Sequence, residues 1–194
     1  MASPRNPRAS RPLFGRRPRL PAAIEPWAGE DVDIDVLFAA AWSDMVARQA
    51  YWAKVWGLSG ASFAVDQEAG LIEFERSDGA IVRAPVQCVG AWNPAAEIFS
   101  WAWGHPSVQP RMRRAAERAR WFGERHGLTD FIRLQVPAQE TDAWRYAAVT
   151  MRLNGASGVY RAPSEGPLGP GPMVFMIFQD PSLVAGTQWQ EAAE

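Results

Sequence analysis

Residues 71–92 read LIEFERSDGAIVRAPVQCVGAW, and this stretch decides the fold class. Ile72 and Phe74 alternate with Leu71, Glu73 and Glu75, the period of a half-buried strand. Ser77-Asp78-Gly79 then supplies a hairpin turn, because Asp-Gly readily takes the positive φ angles that a two-residue connection requires. The next strand, Ile81–Trp92, puts Val82, Ala84, Val86, Cys88, Gly90 and Trp92 on one side, and Pro85 marks an edge or bulged position. Two more strands flank this pair. Ser62–Asp66 precedes it with Phe63 and Val65 on one face. Glu97–Trp103 follows the Asn93-Pro94 turn with Phe99, Trp101 and Trp103 on one face. Four strands joined by hairpin-length connections form an antiparallel meander.

Working outward, Asp35–Trp56 reads as a helix. Phe38, Trp42, Met45, Gln49, Trp52 and Trp56 recur at spacings of three and four. Asp31, Asp33 and Asp35 crowd its start, where capping and the helix dipole favour carboxylates, and Gly57 stands at the left-handed stop. Downstream, Pro110–His126 reads as an arginine-rich helix with Met112, Ala115, Ala119 and Phe122 inward. Phe131–Val136 reads as a short strand, and Thr141–Asn154 as a further helix. Gly158–Ala162 and Met173–Gln179 finish the pattern, joined by a Pro/Gly loop over Ser164–Pro172. The last strand is apolar on both sides, as a central strand would be. Strands in a block, not alternating with helices, give an α+β class. The expectation is one domain, a bent antiparallel sheet of about six strands packed on about three helices. Its bounds are 25–182, between a disordered Arg/Pro-rich tail at 1–24 and a flexible tail at 183–194.

Charge supports that division. The chain has 194 residues and a net charge of −1, yet residues 1–24 hold six arginines and no acid. The remainder carries 14 basic and 21 acidic residues. Prolines at 4, 7, 12, 18 and 21 forbid a continuous helix in the tail. Two readings of the tail stand, an extension without a role and a weak contact with nucleic acid or an anionic surface. A single cysteine excludes an internal disulfide framework, and no apolar run reaches the roughly 20 residues of a membrane span. A cytoplasmic location is expected.

The chemistry-bearing residues are sparse. No phosphate loop is present. Cys88, His105 and His126 are well separated and too few for a Cys/His zinc site. No metal, no cofactor and no catalytic residue is assigned. Cys88, on an apolar strand face, reads as a small core residue. Two residue groups remain. The aromatic face of Trp101 and Trp103, with His105 just beyond, lines either a groove or the core. Tyr160-Arg161 at a strand end carries the side-chain types that anchor interfaces. The candidate binding residues are therefore Trp101, Trp103, His105, Tyr160 and Arg161, in a non-enzymatic binding or protein-interaction domain. The partner is a protein or a small molecule. The alternative is a small hydrolase-like enzyme with a pocket near His105 and an acid such as Glu97.

The segments Trp101-Ala102-Trp103-Gly104-His105-Pro106-Ser107 and Tyr160-Arg161-Ala162-Pro163, with the apolar strand near the C-terminus, resemble an uncharacterised bacterial family of domains of unknown function. That family has a Trp-Ala-Trp strand, a Pro-Ser turn and a later Tyr-Arg-x-Pro segment. The resemblance spans Phe38–Asp180 and implies no activity and no catalytic residues. His105 stands where that pattern implies a small polar residue.

Overall fold

The computed structural model describes residues 32–163, 165–166 and 168–179; the two tails of the sequence reading lie outside them. Helix α1 (Ile34–Trp56) begins at Asp33, whose Oδ1 accepts the N–H groups of Asp35 and Val36 at 3.0 and 3.2 Å. It ends at Gly57, φ 65°, in the left-handed cap that the sequence calls for. The buried stripe is Leu37, Ala41, Met45, Arg48 and Trp52, not the one led by Phe38 and Trp42. Trp42 is exposed, while Phe38 and Trp56 are half-buried against the core. The buried stripe also takes in a charged residue, Arg48. Its Nε is held by both carboxylate oxygens of Asp44 at 3.0 Å one turn back, so its charge is compensated inside.

Among the described residues nine strands follow in two sheets: β1 (Ser62–Asp66), β2 (Leu71–Glu75), β3 (Ile81–Asn93), β4 (Ile98–Trp101), β5 (Gln135–Pro137), β6 (Gly158–Ala162), β7 (Glu165–Gly166), β8 (Gly169–Pro170) and β9 (Met173–Phe178). Helices α2 (Pro110–His126), α3 (Thr129–Ile132) and α4 (Glu140–Leu153) complete the α+β domain. The main sheet has seven strands, and β7 pairs with β8 as a ribbon inside the stretch read as a loop. Every pairing is antiparallel. The extra elements are short: α3 and β5 divide what read as one strand at Phe131–Val136.

Strand β3 is the spine. Its first half pairs with β2, its second half with β4, and β9 lies along its other edge with β6 beyond. Pro85 therefore sits in a central strand, which corrects the edge reading. It is tolerated because the β3–β9 ladder stops at Val86↔Phe178, the residue after the proline. Pro85 has no N–H to extend that ladder, and its carbonyl accepts the Gln179 N–H at 3.1 Å. The bulge comes later, between Cys88 and Gly90. It turns the strand over, so that Cys88, Val89 and Ala91 are all buried. Gly90 is needed there: a Cβ would lie 2.4 Å from the Phe99 ring and 2.5 Å from the Ser100 carbonyl.

The β2–β3 connection also differs in detail. Arg76 N–H reaches the Ala80 carbonyl at 2.9 Å, which closes a three-residue loop, and within it only Gly79 has positive φ, at 78°. That is the type I turn with a left-handed third residue, the next most common hairpin after the two-residue form.

The sheet is strongly curved. In the order β1-β2-β3-β9-β6, four inter-strand gaps separate the ends, roughly 19 Å if flat. Yet the rings of Phe63 in β1 and Tyr160 in β6 meet edge-on at 3.9 Å between centroids. Trp56, at the end of α1, packs beside this closure, 6.4 Å from Phe74 and 5.7 Å from Phe178.

Candidate functional site

Trp101 is fully buried and presents nothing to a partner. Strand β4 brings it beside Phe99, and its ring packs on Phe131 and Tyr146 at 5.2 and 5.6 Å. Its indole N–H donates to the Asp130 carbonyl at 2.7 Å. The same residue's Oδ2 accepts the Tyr146 hydroxyl at 3.1 Å. Asp130 thus satisfies both polar groups of this cluster, and burial holds the Tyr146 phenol well above its ordinary range, with the nearby Asp130 charge adding to the shift. Of the two readings of Trp101, groove and core, the structure has the core.

Trp103 does not share that face. Strand β4 ends at Trp101, and residues Ala102–Gly104 form a single 3-10 turn closed by His105 N–H to the Ala102 carbonyl at 3.1 Å. The turn swings Trp103 out to a half-buried position under Arg120 of α2, whose guanidinium carbon lies 4.6 Å from the ring centroid. Its indole N–H is buried and meets no acceptor among the described residues.

His105 is half-buried just after this turn, and its Nδ1 accepts the Ser107 N–H at 3.3 Å. Glu97 precedes β4 and His105 follows it. The strand between them, at about 3.3 Å per residue, holds the two on the order of 13 Å or more apart. The structure does not bring this acid and this histidine together. Among the described residues no group of three or more His, Cys, Asp or Glu could hold a metal ion. Cys88 is buried, and burial lifts its thiol to about 12.

Tyr160 and Arg161 stand on β6, which among the described strands pairs only with β9. Adjacent residues on a strand point to opposite faces, so the pair divides. Arg161 turns toward α4, where its guanidinium bonds Glu140 at the first position of that helix. Tyr160 turns toward Phe63. Both are solvent-accessible, Tyr160 half-buried and Phe63 44% exposed. The Tyr160 hydroxyl bonds no described residue, and burial of the ring pushes its phenol up to about 12. It remains a neutral donor and acceptor across the physiological range.

The five candidate residues therefore divide among the core position of Trp101, the turn carrying Trp103 and His105, and the two faces of β6. What the structure does bring together is Tyr160 with Phe63. Phe63 was read only as one face of a strand, and alternation within β1 carries no information about β6. A long-range aromatic contact across the closure of a sheet leaves no trace in local periodicity.

The family model described as a family of unknown function, DUF6882, matches residues 35–181. The chain belongs to this family. The span coincides with the helical and sheet elements described above, from the first turn of α1 to just past β9. No curated protein and no solved structure matches. DUF6882 thus gives the domain its extent and leaves its chemistry to be read from the residues.

Proposed function

We propose that this DUF6882 domain is a non-enzymatic binding module whose contact surface centres on Phe63 and Tyr160, with Arg161 and its partner Glu140 on the opposite face of β6 in a supporting role. The observation that carries the reading is the Phe63–Tyr160 closure. Two aromatic rings from opposite ends of the sheet stand solvent-accessible at one place, with an unpartnered hydroxyl beside them. Aromatic rings on rigid strands give large contact area at low entropic cost, and Tyr and Arg are common interface anchors. Trp103, under the Arg120 guanidinium, and His105 two residues on are assigned a supporting role.

Shared Trp-Ala-Trp and Tyr-Arg-x-Pro segments and a bacterial origin belong to the same proposal. A cytoplasmic setting is supported by the one buried thiol, and no helix among the described residues is long and apolar enough to cross a membrane.

The test is comparative capture. Full-length wild type and the variant Phe63→Ser/Tyr160→Ser are used as baits, and hydrogen exchange is measured on the complex recovered. Protection of residues 62–66 and 158–162, and loss of the partner with the variant, support the reading. A partner retained equally by both baits would sink it.

A further inference from the structure

The outer face of α2 carries a pattern that the binding reading does not use. Arg111, Arg114, Arg118, Trp121 and Arg125 follow one another at spacings of three, four, three and four. That spacing places all five on one stripe, about 21 Å long at 1.5 Å per residue. The inward face is occupied by Met112, Ala115, Ala116, Ala119, Phe122 and Gly123, so the stripe points away from the core. Trp121 is 58% exposed, with the Arg125 guanidinium 5.7 Å from its ring centroid.

The arginines of this helix are divided. Arg113 and Arg120 are neutralised by Glu117 and Glu124 one turn on, at 3.0 and 2.8 Å. Arg111 bonds the neutral Gln109 at 3.0 Å. Arg114, Arg118 and Arg125 pair with no carboxylate among the described residues. The helix holds six arginines against two glutamates, while the other described residues hold eight basic and thirteen acidic side chains. Positive charge is therefore concentrated on one ridge of an otherwise acidic body, beside an exposed indole.

We propose that this ridge docks the domain on an anionic lipid surface. Charge complementarity selects the sign of the partner. A second copy packed α2 against α2 would set arginine against arginine. The duplex major groove would bring phosphates to both flanks of the helix, and one flank carries Glu117 and Glu124. A single strand of nucleic acid binds in grooves lined by aromatic platforms, whereas this is a convex ridge with one ring. A plane meets all five side chains at once. Arginine heads contact the headgroups while their stems cover apolar surface, and tryptophan favours the interface between headgroup and hydrocarbon. Each basic residue near an anionic bilayer contributes about a five-fold gain in partitioning. The six arginines of residues 1–24 add to the same attraction without being part of the ridge.

The experiment uses the full chain and extruded vesicles of phosphatidylcholine, with and without about one-third phosphatidylglycerol, read by co-sedimentation at low and at physiological salt. Wild type is expected to bind only the anionic vesicles, less at higher salt. A full-length variant with the six tail arginines changed to Gln is expected to bind more weakly and still to sediment only with the anionic vesicles. Arg114→Gln/Arg118→Gln/Arg125→Gln is expected to lose on the order of a hundred-fold, and Trp121→Ala several-fold. All five positions project outward, and an unchanged near-ultraviolet circular dichroism spectrum checks that each variant is folded. Binding by the triple variant equal to wild type overturns the proposal. So does binding that vanishes with the tail arginines alone, or failure of wild type to sediment with anionic vesicles. A labelled oligo(dT) bound through the same arginines in place of the vesicles would overturn it in favour of a nucleic-acid site.

Discussion

Two aromatic clusters of similar size are closed in opposite ways. Phe38, Phe99, Trp101, Phe131 and Tyr146 pack between α1, α4 and β4, with the polar atoms of Trp101 and Tyr146 both answered by Asp130. Trp56, Phe63, Phe74, Tyr160 and Phe178 pack where the curved sheet meets itself. There, among the described residues, β1 pairs only with β2 and β6 only with β9, and aromatic rings meet across the gap. The first cluster is buried apart from the half-buried Phe38, and its polar groups are hydrogen-bonded, as buried polar groups must be. The second ends in two solvent-accessible rings and a free hydroxyl. An identical residue type serves burial in one place and display in the other, and the deciding factor is whether a backbone partner lies behind it.

Substitutions can break this contrast. Trp101→Ala removes a fully buried indole and leaves the Asp130 carbonyl without its donor. It should cost roughly 3–5 kcal/mol or more in chemical denaturation, or prevent folding. Gly90→Ala should cost about 1–3 kcal/mol, since both the Phe99 ring and the Ser100 carbonyl obstruct the new methyl. Tyr146→Phe removes one hydrogen bond and leaves Asp130 Oδ2 free to turn to water, about 1 kcal/mol. Phe63→Ala, at the open end, should cost no more than about 1 kcal/mol while abolishing partner recognition. A Phe63→Ala penalty as large as that of Trp101→Ala would show that the closure is a second core, not a surface.

Alkaline titration sharpens the same comparison. Tyr160, Tyr146 and Cys88 all have folded-state values raised above those of the unfolded chain, chiefly by burial. Their stabilisation is complete below about pH 9 and is lost as pH rises through the folded values, about 12 for Cys88 and Tyr160 and higher still for Tyr146. Phenolate absorbance should show Tyr160 ionising near pH 12 in the folded protein. Cys88 should resist a thiol reagent until the domain unfolds. Early ionisation of Tyr160 with the fold intact would mean that its ring is more open than the contact with Phe63 allows.

Much of the architecture was legible in the sequence because it is written in local signals. Gly57 and Gly127 stop their helices in the left-handed conformation, and Asp78-Gly79 turns the central hairpin. The two-sided apolar run of β9 marks it as central. The errors have a common physical root. Trp103 was placed on β4 because alternation continues through it, but the neighbouring β5 ladder covers only Ile98–Ser100 and the chain winds into a 3-10 turn once Trp101 is passed. Arg48 is absent from the apolar stripe read for α1, because period counting follows apolar side chains and ignores a charge neutralised by Asp44 one turn back. Phe63 with Tyr160 joins residues almost a hundred positions apart, and only the curvature of the sheet connects them.

The position of β9 bears on how the molecule is made. Its edge of β3 stays unmated from the time residue 92 leaves the ribosome until residue 173 follows. At roughly 5–20 residues per second this lasts several seconds. Until then the nascent chain can form its meander but not its middle, and an apolar strand edge stands open to neighbours. Assembly of this domain is therefore an event that waits for the end of its own synthesis.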